Sequence, residues 1–162
     1  MQTFLPYINY ERSARVLDRM RLGKQRVETK QILKALREPN YGWKHHPAVK
    51  MWAGYEYGLV CYGIDMCVEW RRRGFSDTLL DEFHEQRNII AKELTSQGKG
   101  LPLLPHWLGD KLTTSHKSNL IRKDPAHYSN LFPGVPDDIP YYWPTKDANY
   151  ARPDSWASRR AA

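Results

Sequence analysis

The feature that most constrains this sequence is the segment 47–74, where apolar and aromatic side chains recur at mostly alternating spacings of three and four. The recurring positions are Ala48, Trp52, Tyr55, Leu59, Tyr62, Met66 and Trp70. This alternation places all of them on one face of an α-helix. Pro47 suits the first helical position, and Gly74 suits the residue after the last turn. The pattern therefore predicts one long central helix over about 47–74 with a buried face.

Helical spacing on both sides of this segment predicts an all-α fold. ERSARVLDRM and RLGKQRVETKQILKAL indicate two helices with Gly23 at their boundary, and residues 76–98 indicate another. A short helix is expected at 114–123, capped by Thr114 or Ser115. The sequence shows no internal repeat and no useful strand alternation.

The length of 162 residues is enough for one domain with its own hydrophobic core. We expect a single compact helical domain over 1–130 and an extended tail over 131–162, packed on the domain or trailing from it. The tail holds five of the eleven prolines. Its aromatic residues, which could cover the helices or offer stacking faces, are Tyr141, Tyr142, Trp143, Tyr150 and Trp156.

Cysteine usage and hydropathy indicate a soluble protein of a reducing compartment. Cys61 and Cys67 lie six positions apart on one predicted helix, and neither belongs to a CxxC pair. No stretch approaches the roughly 20 apolar residues of a membrane span, and the first residues lack a signal-peptide pattern. We expect a cytoplasmic monomer that needs no cofactor, no metal and no membrane.

Positive charge is concentrated in the first third of the chain. Residues 1–50 carry 11 Lys/Arg against 4 Asp/Glu, whereas residues 51–115 carry 7 against 9. Such asymmetry is typical of a protein that faces a polyanion on one side. A basic composition without a specific partner is the alternative interpretation.

The stretch RLGKQRVETK is the densest part of this charge. Arg21, Arg26 and Lys30 are candidate phosphate contacts, because guanidinium forks match phosphate oxygens. The alternative is a solvated helix face in which Lys24 and Glu28 form an ordinary i,i+4 pair. The cations that precede the long helix include Arg12, Arg15, Arg19, Arg21, Lys24, Arg26, Lys30 and Lys34.

Two histidines mark the entry to the long helix in WKHHPAVK. His45, His46 and Lys50 lie where free backbone N–H groups favour an anion, and imidazoles can move protons near neutral pH. Purely structural histidines are the alternative. A metal site is weakly supported, because no third ligand has diagnostic spacing.

The stretch SHKSNLIRKDPAHY forms a second polar cluster. His116, Lys117 and Asn119 are expected in or beside the first turn of the short helix, with Arg122 and Lys123 near its end. A lysine at a helix start is electrostatically unfavourable, so Lys117 favours an anionic partner there. An ordinary surface helix is the alternative.

Taken together, these motifs resemble the pyrimidine-dimer DNA glycosylase (endonuclease V) family over residues 1–75 and 113–134. The carriers are Arg21 with Arg26-Val27, the HHPAVKMW entry into a helix that ends in RRRGF, and a polar helix followed by PAHY. The sequence is also similar to small actinobacterial and phage proteins that open with MQTFLP…RLGKQRVE. The resemblance implies an all-α domain that grips kinked duplex DNA and extrudes a base from the stack.

The resemblance also implies covalent chemistry. In the family an N-terminal α-amine, freed by removal of the initiator Met, attacks the sugar C1′ and forms an imine with the help of a glutamate. An α-amine suits this role because its pKa of about 7.7–8.0 leaves more of it unprotonated than a lysine near 10.4. Here Gln2 is too large for routine removal of Met1, so we expect Met1 to be retained, and its own terminus is one of the candidate amines.

In ungapped register the acid of the family falls on Gly23, and the nearest replacement is Glu28. The other amines near the expected site are those of Lys24 and Lys117. His45, His46 and His116 would line the pocket, and the candidate catalytic residues are Met1, Lys24, Glu28 and His116.

The leading hypothesis is a DNA-binding N-glycosylase, with or without lyase activity, that acts on a damaged or modified pyrimidine. One alternative is a non-catalytic module that binds distorted or modified duplex DNA. The other is an enzyme that acts on free modified nucleotides.

Overall fold

The computed structural model describes residues 1–144, and over that range it contains seven α-helices and no β-strand. The all-α prediction is therefore confirmed. The helices are α1 (Tyr10–Val16), α2 (Arg19–Arg37), α3 (Pro47–Trp52), α4 (Glu56–Arg72), α5 (Leu80–Ser96), α6 (Asp110–Lys123) and α7 (Pro125–Tyr128).

Helix α4 forms the centre of the fold and packs against α1, α2 and α5. Gly63 lies where both α2 and α5 pack closely against α4. A Cβ on Gly63 would stand 2.7 Å from Cγ2 of Thr29 on α2 and 3.0 Å from the ring of Phe83 on α5. The absent side chain therefore allows three helices to meet, and Tyr62 beside it is completely buried.

The segment 47–74 forms two helices rather than the predicted one. Helix α3 ends at Trp52, and α4 begins at Glu56 after a break that contains Gly54 at φ +85°. Gly54 can adopt this left-handed conformation because it has no Cβ. The apolar face continues across the break, since Trp52 and Leu59 are both fully buried.

Gly58 of α4 makes room for a loop, residues 100–108. A Cβ on Gly58 would lie 2.4 Å from the carbonyl oxygen of Leu103. The loop is held there by Tyr10, whose hydroxyl donates to the same oxygen at 2.6 Å, and by Trp107, whose indole donates to Met51 O at 2.8 Å.

The predicted boundary at Gly23 is wrong. Helix α1 ends at Val16, and α2 begins at Arg19 behind Asp18, whose carboxylate accepts from the Arg21 amide at 3.1 Å. Gly23 therefore lies inside α2. Asp18 is the residue that marks the junction, because a capping aspartate satisfies a free N–H of the first turn.

Helix α6 begins four to five residues earlier than predicted. It starts at Asp110, so Thr114 and Ser115 lie inside the helix and do not cap it. The chain continues to pack after residue 130: Phe132 is buried, and the Ile139 amide donates to Ser118 Oγ at 3.0 Å. The division of the chain at residue 130 stays a prediction, and its tail beyond residue 144, with Tyr150 and Trp156, lies outside the described residues.

Within residues 1–144, none of the helices is both long enough and apolar enough to span a lipid bilayer.

Candidate active site

The first residues of the chain run through the core as an extended segment. Residues 2–6 are all buried. The Phe4 amide donates to Gln25 Oε1 on α2 at 2.9 Å, and the Leu5 amide donates to His116 Nδ1 on α6 at 2.9 Å. Side chains from two helices thus replace the backbone partners that this segment lacks.

Helices α3 and α4 hold the same segment from the other side. The Trp52 indole donates to Thr3 Oγ1 at 2.9 Å, and the Tyr62 hydroxyl lies 3.0 Å from Phe4 O and 2.7 Å from Gln25 Oε1. Chain termini are usually poorly ordered unless such contacts hold them. The beginning of this chain therefore has a defined position in the fold.

Glu28 lies beside that beginning. Its Oε2 accepts from the Gln2 amide at 3.2 Å and from Gln25 Nε2 at 3.3 Å. The amino nitrogen of Met1 is only one residue away, about 4 Å along the backbone from that amide nitrogen. The fold thus brings a half-buried carboxylate and the amino end of the chain together across 26 positions of sequence.

An open groove of about 840 Å³ adjoins Glu28 on the outer face of α2. Its volume lies in the range of small-molecule pockets, about 300–1,000 Å³. The Lys24 side chain is exposed at its edge, one turn before Glu28. The residues that line the groove are Arg19, Met20, Gly23, Lys24, Val27, Glu28, Gln31 and Trp70.

Gly23 supports this groove by letting the indole of Trp70 approach α2. A Cβ at Gly23 would lie 3.1 Å from two atoms of that ring. The indole is fixed in place, since its Nε1 donates to Ser76 O at 2.8 Å and its ring lies 4.4 Å from that of Phe75. The position where the ungapped register places the catalytic acid of the family is therefore a packing site.

The two arginines predicted to contact phosphate already face carboxylates. Arg21 Nη1 lies 2.7 Å from Asp18 Oδ2, and the Arg26 Nε donates to Asp77 Oδ1 at 2.8 Å. The side chain of Arg26 is only 11% exposed and that of Asp77 is fully buried. Phosphate contact by Arg21 and Arg26 stays a prediction, but neither guanidinium lacks a partner.

The carboxylates of these pairs remain charged to low pH. Burial alone would raise the pKa of Asp18, but hydrogen bonds from Tyr128 and Arg21 outweigh it and hold the pKa below its usual value. Burial would also raise the pKa of Asp77, but hydrogen bonds from the Leu80 amide and Arg26 lower it.

Other cations of the first third of the chain are similarly engaged. Lys30 Nζ lies 2.8 Å from Glu82 Oε2, and Arg15 pairs with Glu11. Arg19 lies over the ring of Phe75 at 4.6 Å. Lys24 makes no ion pair or hydrogen bond with any residue of the described range, which makes it the most available cation of the RLGKQRVE stretch.

The first turn at the entry to α3 is capped from within the chain, and DNA contact by His45, His46 and Lys50 stays a prediction. This helix has only six residues, and its first turn is capped by His46, whose Nδ1 accepts from the Ala48 amide at 3.0 Å. Burial lowers the pKa of His46, and the positive charge of the N-terminus lowers it further. His45 and Lys50 are exposed on either side of His46.

His116 lies in the core rather than on the surface of a first helical turn. It is completely buried, and burial lowers its pKa to about 3. Its Nδ1 accepts from Leu5, and its Nε2 has no partner among residues 1–144. The geometry assigns His116 to holding the N-terminal segment; its predicted catalytic role stays untested.

Two further residues of α6 bind the chain that follows α7. Asn119 Nδ2 donates to Ile139 O at 3.1 Å, while Arg122 donates to Asp137 O at 2.7 Å and to Ile139 O at 2.8 Å.

Lys117 lies over the Tyr7 ring at 4.9 Å. It sits in the middle of α6, so the argument from an unfavourable helix-start position is wrong. Lys123 is exposed near the end of α6.

Sequence reasoning missed the residues that position the beginning of the chain. Gln25 is 1% exposed and connects Glu28, Phe4 and Tyr62. The signal that could have revealed this arrangement is the run Gln2–Tyr10, which has no charged side chain in an otherwise highly charged half of the sequence. Such a run is suited to burial.

The described part of the chain contains no cluster of three or more His, Cys, Asp or Glu side chains that could hold a metal ion.

Comparison with known proteins identifies one family. The family model described as pyrimidine dimer DNA glycosylase matches residues 1–83, just over half of the chain, which confirms the resemblance to this family; its extension to residues 113–134 stays a prediction. No curated protein and no solved structure matches the chain. The matched range contains the N-terminal segment, Glu28 and the whole groove.

Proposed function

The chain belongs to the pyrimidine dimer DNA glycosylase family, and from this membership we propose that it is a DNA N-glycosylase acting on a damaged or modified pyrimidine. The observation that carries the proposal is the hydrogen bond from the Gln2 amide to Glu28 Oε2. It brings an amino end and a carboxylate together, the two groups that the chemistry of the family needs. The proposed partner is duplex DNA, bound by a monomer in the cytoplasm.

In the proposed reaction the amine of Met1 attacks C1′ of the target nucleotide, the base leaves, and an imine joins the protein to the sugar. Glu28 transfers protons between the amine and the departing groups. Its place beside Gln2 and Gln25 keeps it within reach of the sugar carbon that the amine attacks. Lys24, one turn away at the edge of the groove, is the alternative amine.

Borohydride trapping tests this proposal, because it reduces the imine to a stable secondary amine. We expect a covalent complex with at least one duplex that carries a pyrimidine dimer, uracil, an abasic site or a hypermodified pyrimidine. Loss of a general acid–base typically slows a reaction by about 10²- to 10⁴-fold, so Glu28→Gln should trap correspondingly more slowly. Glu38→Gln, which alters an exposed carboxylate directly after the same helix, is the control.

A non-catalytic DNA-binding module is the second candidate. It is favoured by Gly23, which supplies no carboxylate at the position where the ungapped register places the acid of the family. This candidate predicts salt-dependent binding to distorted duplex DNA, no product on any of the four substrates, and no effect of Glu28→Gln on affinity.

A further inference from the structure

Three aromatic side chains form a surface cluster that none of the catalytic contacts uses. Trp43 lies 5.9 Å from His46 between ring centroids, and Trp143 lies 6.0 Å from His46 on a separate part of the chain. Both contacts are edge-to-face, a favourable arrangement for aromatic rings. We call Trp43, His46 and Trp143 the aromatic cluster.

Trp43 is unusual in backbone and exposure. Its φ is +70°, a region that bulky residues rarely adopt, and its side chain is 59% exposed. Glycine would relieve the backbone strain, and a polar residue would suit the solvent. Neither local conformation nor burial favours a tryptophan here, and beyond its contact with His46 the indole offers an exposed face to a ligand.

His46 adds a hydrogen-bond donor of defined position. Its Nδ1 accepts from the Ala48 amide at 3.0 Å, so the proton of the neutral ring must sit on Nε2. The Nε2–H group makes no hydrogen bond within residues 1–144. A neutral N–H group fixed in this way can donate a hydrogen bond to an acceptor atom of a ligand.

Ring contacts connect the aromatic cluster to the N-terminal segment. Tyr141 lies 5.7 Å from Trp143 and 6.4 Å from Phe4. Phe4 belongs to the segment that sets the position of Gln2 beside Glu28. The aromatic cluster is therefore connected by ring contacts to the segment that positions Gln2 beside Glu28.

Resting on the proposed function, we propose that the aromatic cluster binds one unpaired nucleobase of the DNA. The indole of Trp43 stacks on the face of the base, and the Nε2–H of His46 donates to a carbonyl oxygen at its edge. Stacking on an aromatic side chain favours an unpaired base of any type. Lys44, whose ammonium also donates to Pro39 O, is exposed next to Trp43 in the sequence and complements a phosphate of the bound strand.

Fluorescence anisotropy with two short DNA duplexes tests the inference. One duplex is fully paired, and the other carries a single unpaired thymine. We expect the full-length protein to bind the second about tenfold more tightly, and Trp43→Gly to reduce this ratio to about one. Trp43→Phe should keep most of the preference, because it retains a stacking face.

Two properties of the chain make the variants interpretable. Glycine accepts the φ of +70° at position 43, so Trp43→Gly should melt no lower than the unaltered protein. His46→Asn keeps a side-chain cap on α3 but removes the imidazole donor, and it should reduce the ratio in part. Leu104→Ala changes another exposed apolar residue and should leave the ratio unchanged.

The inference is overturned if the unaltered protein shows no preference for the unpaired thymine, or if Trp43→Gly keeps the preference. Failure of the proposed glycosylase would look different. In that case borohydride traps nothing, while the binding preference and its loss in Trp43→Gly remain.

Discussion

At the scale of single residues, the cations of α2 differ in whether a carboxylate already faces them. Arg21, Arg26 and Lys30 each contact an acid, whereas Lys24 contacts none in residues 1–144. The sequence could not predict this difference, because Asp77 and Glu82 lie about 50 positions away from their partners. Local density of charge is therefore a poor guide to which cations remain available for phosphate.

Lys24→Ala should weaken DNA binding and reduce the slope of log affinity against log salt by about one unit, since each phosphate contact contributes about 0.9. The measurement is a salt titration of affinity. Lys92→Ala, which removes an exposed lysine from α5, should leave the slope unchanged. An unchanged slope for Lys24→Ala would exclude this lysine as a phosphate contact.

Arg26→Ala should lower the free energy of unfolding by about 3 kcal/mol, because it leaves the fully buried carboxylate of Asp77 with only the more distant Arg71, at 4.0 Å, as a cation. Urea denaturation measures the loss. Arg15→Ala removes an ion pair whose side chains are 59% and 58% exposed, and it should change stability by less than about 1 kcal/mol. A stable Arg26→Ala protein with a reduced salt slope would instead assign Arg26 to DNA.

At the scale of helices and loops, periodicity predicted the positions of the helices better than their ends. The helical spacing of buried residues continues from Trp52 to Leu59 across the break between α3 and α4. The spacing alone could therefore not reveal the break. Gly54 was the local signal, but a glycine inside a helical pattern is also tolerated. The N-terminal segment was missed because it has no periodicity, and its burial depends on side chains from four helices.

Gly58→Ala should destabilise the protein by about 1–3 kcal/mol, because the new methyl group would lie 2.4 Å from a backbone oxygen of the 100–108 loop. The gain in helix propensity, about 1 kcal/mol, offsets only part of this cost. Thermal unfolding measures the net effect. Gly100→Ala adds a methyl group in open space on the same loop and serves as the control. Equal melting temperatures for the two variants would contradict the close packing.

At the scale of the whole molecule, the fold is organised around the buried beginning of its own chain. Helices α2, α3, α4 and α6 each contribute a hydrogen bond to residues 3–5. The all-α class followed from sequence patterns, and family resemblance suggested an acid near the amine. The contact between Glu28 and the Gln2 amide, however, depends on this tertiary arrangement.

Burial of His116 makes stability depend on pH. Its folded pKa of about 3 lies below the unfolded value near 6.5, so the unfolded state binds the proton more readily. This contribution to stability is complete above about pH 6.5 and is lost as the pH falls towards 3. His116→Gln should therefore lose less stability than the unaltered protein between pH 7 and pH 4.5, measured by urea denaturation.

Comparing the two proteins at each pH removes the opposite effect of Asp65. The pKa of Asp65 is raised to about 6 by burial and by Glu11, so its protonation stabilises the fold as the pH falls. Equal losses of stability in both proteins would show that His116 does not titrate on unfolding.

The most direct test of the central claim is to locate the covalent bond in the borohydride-trapped complex by mass spectrometry of its peptides. The account predicts that the reduced sugar is attached to the α-amine of the N-terminal peptide, beside Glu28. It also predicts that the adduct is strongly reduced in Glu28→Gln and preserved in Glu38→Gln. An adduct on Lys24, or one formed equally well in Glu28→Gln, would contradict it.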